Sequence, residues 1–229
     1  MPLSPPNRDA NAAVPNNVAT AAPAAKAATG ASKRGGTADV AARPTLTRKG
    51  WVDAATELLV DQGIDSVRVD VLARSLGVTR GSFYWHFKSR PELLASVLAT
   101  WREAATEQVT ARFERRSTEP AVLLRELITL PFRGRSAARA ARVELAIRAW
   151  ARRDEMARQA VDEADASRIA YHAQLFSSLG FTIAEARMRA FVLYGYEVAE
   201  SLLYRQGSAA QRTDRRRFVE QLLLQKLGA

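Results

Sequence analysis

Two short helical patterns separated by one glycine constrain this chain more than any other feature. Val69, Leu72, Ala73 and Leu76 recur at helical spacing, Gly77-Val78 follows at once, and a second short helix is predicted from Thr79 to Phe87. A joint this tight needs a residue that accepts positive φ, and Gly77 stands there. Ala73 is small enough for the helices to cross closely, while Leu72, Leu76, Val78, Phe83 and Phe87 form the apolar contacts that fix the crossing.

The outward face of the second helix carries Arg80, Gly81, Tyr84, Trp85 and Lys88 as one stripe. As the solvated face of an ordinary helical hairpin it would leave two aromatic rings in water beside cations. As a DNA-reading face it has a use for each residue. A helix fits the major groove, and an arginine such as Arg80 can donate two hydrogen bonds to guanine O6 and N7. Gly81 lets the backbone come close, Thr79 and Ser82 can bond bases or phosphates, and Tyr84, His86 and Lys88 suit phosphate oxygens.

The rest of the chain reads as helices, so the expected fold class is all-α. Trp51, Ala54, Ala55, Leu58 and Leu59 form one face of a helix that Thr47 can cap and Gly63 can end. Ser89-Arg90-Pro91-Glu92 has capping-box spacing and opens a long helix carrying Leu94, Val97, Leu98, Trp101 and Ala105. Further helices are predicted from Thr118-Glu119-Pro120 to near Pro131, from about Ser136 through Trp150, and up to Gly180. A second capping box, Thr182 to Glu185, opens one to about Gln206, and after Gly207 a last helix covers roughly 209–227. Residues 1–45 hold six of the nine prolines, many alanines and no aromatic residue, the composition of a disordered Ala/Pro-rich tail. With five basic residues against two acidic ones, the tail is either passive or an arm that adds phosphate or minor-groove contacts.

Composition narrows the function classes. The formal charge of +10 favours polyanionic partners. Cysteine is absent and His86 and His172 are the only histidines, so thiol chemistry is excluded, and no metal site or catalytic constellation is expected. No Gly-rich phosphate loop and no Ser-His-Asp spacing stands out, so an enzyme is not expected, nor is a cofactor. With no long apolar run and no signal-like leader, the expected location is cytoplasmic, with no membrane partner.

From Gly63 to Leu94 the chain resembles the DNA-binding region of TetR-family regulators. The likeness is carried by Gly63, Leu72-Ala73, Gly77-Val78-Thr79, Phe83-Tyr84-Trp85-His86-Phe87, Arg90 and Leu93-Leu94. The resemblance implies a helix-turn-helix domain over residues 46–90 and a larger helical effector-binding and dimerisation domain over 91–229. It puts base-reading positions on Thr79, Arg80, Gly81 and Ser82, and phosphate contacts on Tyr84, His86 and Arg90. One departure stands out: where the family has a capping threonine at the start of the second helix, this chain has Arg68, which could still reach a phosphate. The implied function is a homodimeric regulator of a palindromic double-stranded DNA operator, most simply a repressor released by a small-molecule effector. An effector-independent architectural or activating protein is the alternative.

Two readings of the second half stay open. Ala184, Met188, Phe191, Gly195, Val198 and Leu202 form a narrow apolar seam that faces either a second copy or the chain's own core. Phe218, Leu222 and Leu223 are its candidate partners on the last helix, whose basic lead-in, Arg212 and Arg215 to Arg217, reads as solvated surface. Trp101, Phe113, Trp150, His172, Phe176 and Tyr194 are candidate effector contacts or, as aromatic stripes commonly are, core. Glu144, Arg148 and Arg168 sit on apolar helices and are expected to pair internally.

Overall fold

The computed structural model describes residues 46–132, 134–203 and 206–225. The tail over 1–45 and the expected end of the last helix at 227 lie outside them. Every regular element among the described residues is helical.

Helix α1 (Arg48–Gln62) begins where the Thr47 hydroxyl accepts the Gly50 N–H at 3.1 Å, and it stops at Gly63. A single 3-10 turn, Ile64–Ser66, leads to α2 (Val69–Ser75) and α3 (Arg80–Tyr84). Helix α4 (Arg90–Ala105) is capped by Ser89, whose hydroxyl accepts the Glu92 N–H. The expected reciprocal bond is replaced: the Glu92 carboxylate accepts the Lys88 N–H at 2.7 Å and a hydrogen bond from Arg48. The chain continues with α5 (Glu107–Glu114), α6 (Pro120–Thr129), α7 (Gly134–Ala151), α8 (Glu155–Ser178), α9 (Ile183–Leu202) and α10 (Ala209–Leu224).

Three boundaries differ from the periodicity. Helix α5 is separate because the backbone turns at Thr106 (φ −121°, ψ −80°), with neither glycine nor proline to announce it. Helix α9 ends at Leu202, short of Gln206. Helix α3 ends at Tyr84 rather than Phe87, because the Phe83 carbonyl accepts both the His86 and the Phe87 N–H, tightening the last turn.

Apolar burial is organised in two cores. One joins Trp51, Leu59, Leu72, Phe83, Phe87, Leu93 and Leu98 of the first four helices and the loop after α3 to Val143, Ile147 and Trp150 of α7 and Ala157, Val161 and Ala164 of α8. It therefore runs across the expected boundary at residue 90. The other holds Phe113, Leu124, Ile128, Phe176, Phe181, Leu193 and Leu223.

Candidate nucleic-acid interface

The α2–α3 joint closes by backbone alone. The Val78 N–H donates to the Ala73 carbonyl at 2.9 Å and the Gly77 N–H to the Arg74 carbonyl at 3.2 Å, the paired bonds of a Schellman stop. Gly77 has φ +66°, and a Cβ built there would meet nothing within 4 Å. Backbone conformation, rather than space, requires glycine.

Beneath α3 the ring of Phe83 is fully buried, edge-on to Trp51 at a 5.3 Å centroid distance and stacked on Phe87 at 5.5 Å. These rings hold α3 against α1 and set which face turns outward. Arg48 braces the same point: its guanidinium lies 4.0 Å over the Phe87 ring and donates to the His86 carbonyl, to Glu92 at 3.1 Å and to Ser96 at 3.0 Å. Sequence reasoning passed over Arg48, since nothing local marks a basic residue in a first turn as a brace between three segments. The Lys88 N–H, followed by Arg48, holds the Glu92 carboxyl below the usual glutamate range, so the brace stays ionised.

The predicted stripe is on the outer surface. Thr79, Arg80, Gly81, Tyr84, Trp85 and Lys88 are exposed, and Ser82 and His86 are half-buried. Trp85 is 89 % and Tyr84 56 % exposed, a large apolar area beside cations. Arg80 has no carboxylate partner among the described residues, and the Thr79 hydroxyl does not cap α3, so both keep their hydrogen-bonding capacity.

Two expected phosphate contacts have other tasks. Arg90 donates through Nε to the Val67 carbonyl at 2.6 Å and through a terminal nitrogen to the Ile64 carbonyl at 2.9 Å. It ties the 3-10 turn to α4 instead of pointing outward. Arg68 is the N-cap residue of α2 but makes no side-chain cap bond; it pairs with Asp70 at 3.0 and 3.2 Å. The missing threonine cap is left unreplaced.

The six candidate effector contacts are divided between the two cores and a buried polar region. Trp101 and Trp150 belong to the first core, Phe113 and Phe176 to the second. Tyr194 joins a polar network: Arg148 and Arg168 donate to its hydroxyl at 2.7 and 3.0 Å, and it donates to Asp165. Glu144 accepts from both arginines, which confirms the internal pairing expected of these charges. His172 lies beside Glu197, with 3.7 Å between Nε2 and Oε1. Burial pushes the Glu197 carboxyl up to about 8, and burial together with Arg168 pushes His172 down to about 4, so at neutral pH they meet as uncharged groups rather than as an ion pair. No group of three or more His, Asp or Glu that could hold a metal ion occurs among the described residues, and no described helix is long and apolar enough to cross a membrane.

Most of the expected seam on α9 faces outward, with Val198 half-buried. Met188 and Phe191 are each 65 % exposed, and Ala184, Gly195 and Leu202 are exposed too, while Ala186, Ala190 and Leu193 supply the inner face. On α10, Phe218 and Leu222 are exposed, whereas Leu223 is buried in the chain's own core.

The geometry at α2–α3 is that of a helix-turn-helix DNA-binding protein. Residues 52–97 match the family model of bacterial regulatory proteins, tetR family. Over 60 residues the chain is 47 % identical to the HTH-type transcriptional regulator SrpR of Pseudomonas putida, covering 26 % of this chain and 28 % of that protein. Over 49 residues it is 43 % identical to the tetracycline repressor protein class D of Escherichia coli, covering 21 % and 22 % respectively. These matches thus span well under half of the relatives' length. The whole fold is similar to a TetR-family transcriptional regulator from Rhodococcus sp. (TM-score 0.62, 18 % identity, 78 % of this chain and 98 % of that one). It is also similar to Salmonella enterica GusR (TM-score 0.58, 16 % identity, 81 % and 98 %). Residues 52–97, within α1 to α4, thus carry the DNA-binding signature of the TetR family.

Proposed function

We propose that this chain is a cytoplasmic, sequence-specific transcriptional regulator that reads a palindromic operator as a homodimer and is released from it by a small-molecule effector. One observation carries the reading: Arg80 and Tyr84 stand exposed on the short helix α3, and Trp85 and Lys88 on the segment that follows it, while Phe83 and Phe87 beneath them are buried. Arg80, with Thr79, Gly81 and Ser82, reads base edges, while Tyr84, His86 and Lys88 contact phosphates. Residues 46–90 act as the reading head and 91–229 as the regulatory part.

The exposed apolar seam of α9, with Phe218 and Leu222 of α10, is the surface that a second copy covers. A two-fold dimer then sets two reading helices about 34–36 Å apart, or somewhat more, in successive major grooves. The direct test is enrichment of fragmented genomic DNA from the source organism on the purified protein at about 150 mM salt, conditions under which purely electrostatic binding is weak. A palindromic motif in the enriched fragments supports the reading, and enrichment without any motif refutes it.

A further inference from the structure

We infer that the cleft between α7, α9 and α10 binds an organic anion with an apolar body, and that Arg142 carries its occupancy to the DNA-binding helices; the second half rests on the regulator reading above. The cleft has a volume of about 440 Å³, within the range of small-molecule sites. Its apolar wall comes from Pro131, Ala141 and Leu145, and its cations are Arg142, Arg212 and Arg216. The one carboxylate at its edge, Glu200, is neutralised by Arg215 at 2.7 Å. Arg212 donates to the Gly207 carbonyl at 2.8 Å and meets no carboxylate among the described residues. Arg216 lies 3.6 Å from Glu220 and Arg142 pairs with Asp61, so Arg212 is the cleft cation with no carboxylate of its own among the described residues; an apolar wall beside it fits a carboxylate, sulfonate or phosphate on a hydrophobic frame. None of the six aromatic candidates lines this cleft.

Arg142 is shared. It lines the cleft and donates to Asp61 of α1 at 3.1 Å. This contact is the middle rung of a ladder, with Arg139 of α7 on Glu57 of α1 and Arg153 on Asp65 at 3.3 Å. The ladder fastens α1, the back of the reading head, to the regulatory helices. An anion in the cleft competes with Asp61 for Arg142 and frees one rung. Because exposed pairs are individually weak, the change in DNA affinity is a few-fold per chain. Its direction is a loss, since a loosened head is less preorganised for the groove.

The test titrates the full chain with 8-anilino-1-naphthalenesulfonate, whose fluorescence rises in apolar surroundings, and with its uncharged counterpart N-phenyl-1-naphthylamine. The sulfonate should saturate, and Leu145→Trp, which fills the cleft, should remove both probes. Arg212→Gln should weaken the sulfonate by about tenfold, the scale of one charge-assisted hydrogen bond, and leave the amine within about twofold. Sulfonate binding that survives Leu145→Trp lies elsewhere and overturns the site. Equal loss of both probes in Arg212→Gln overturns the anion preference.

Saturating sulfonate should also weaken binding to an enriched genomic duplex a few-fold. Asp61→Asn should still bind the sulfonate but no longer respond to it on DNA. An unchanged response in Asp61→Asn overturns the route through Arg142. Failure of the regulator reading would show separately, as a chain that selects no DNA sequence yet takes the sulfonate in the cleft.

Discussion

The guanidinium of Arg168 on α8 donates to the carbonyl of Ala105, in the last turn of α4, at 3.1 Å. The same side chain holds both oxygens of Glu144 on α7, at 3.0 and 2.9 Å, and reaches the Tyr194 hydroxyl on α9. Four helices thus meet on one half-buried cation, and one of them is α4, which follows the helix-turn-helix. Arg168→Leu strands the enclosed Glu144 carboxylate with one arginine instead of two. The expected loss is about 3–5 kcal/mol, the cost of breaking a buried pair from one side. Urea unfolding measures it, and a change below about 1 kcal/mol would mean that the network bears little weight.

Arg80→Ala should cost on the order of 1–3 kcal/mol on the preferred operator and relax discrimination at one base pair in each half-site. Binding to a set of single-base operator variants measures this. Unchanged discrimination would remove Arg80 from base reading.

Lys88 and Arg90, both basic and two positions apart, should behave differently. Lys88→Ala should weaken binding to all sequences alike and flatten the salt dependence by roughly one unit of log–log slope. Arg90→Ala should instead lower the unfolding temperature, because the Ile64 and Val67 carbonyls lose their donors. A variant at Arg90 with unaltered stability and a reduced salt slope would reverse that assignment.

These two residues also show how far the sequence could be read. The α2–Gly77–α3 joint, the Thr47 cap and the Thr182 box were legible because their causes lie within a few residues of each other. The Ser208 box, closed by Gln211, follows the same spacing and was readable in principle. Arg90 and Arg48 were not, since their partners lie 23 to 48 positions away. The aromatic candidates could not be decided by spacing either. Helical spacing marks Trp101, Trp150, Phe113 and Phe176 as inward-facing but does not say whether inward means a cavity or a packed core. The cleft arginines come from helices more than sixty positions apart, which no local pattern joins.

Glu197 and His172 should shape the pH dependence of stability in opposite senses. Glu197 is held near 8 in the fold against an ordinary 4.5, so the unfolded chain releases a proton that the folded chain keeps. Stability therefore falls as pH rises from about 4.5 to about 8, then levels. His172 is held near 4 against 6.5, so its contribution falls as pH drops through that interval. Glu197→Gln should flatten the alkaline decline and leave the acid limb in place. Parallel urea-midpoint profiles for wild type and variant between pH 6 and 8 would contradict this.

Phe191→Glu should leave helicity unchanged, because Phe191 is largely exposed on a single chain. It should abolish dimerisation, since a carboxylate would have to be buried opposite its own copy across a two-fold axis. Sedimentation at micromolar concentration separates the outcomes, and a persistent dimer would place the interface elsewhere.

The most direct test of the central claim is fluorescence anisotropy of the full chain on three duplexes at about 150 mM salt: the enriched palindrome, the same duplex with one half-site scrambled, and one with both scrambled. The predicted result is binding to the palindrome at least about a thousandfold tighter than to the doubly scrambled duplex, with the single half-site losing most of that preference. Equal affinity for all three duplexes would contradict the account, leaving a basic surface that holds DNA without reading it.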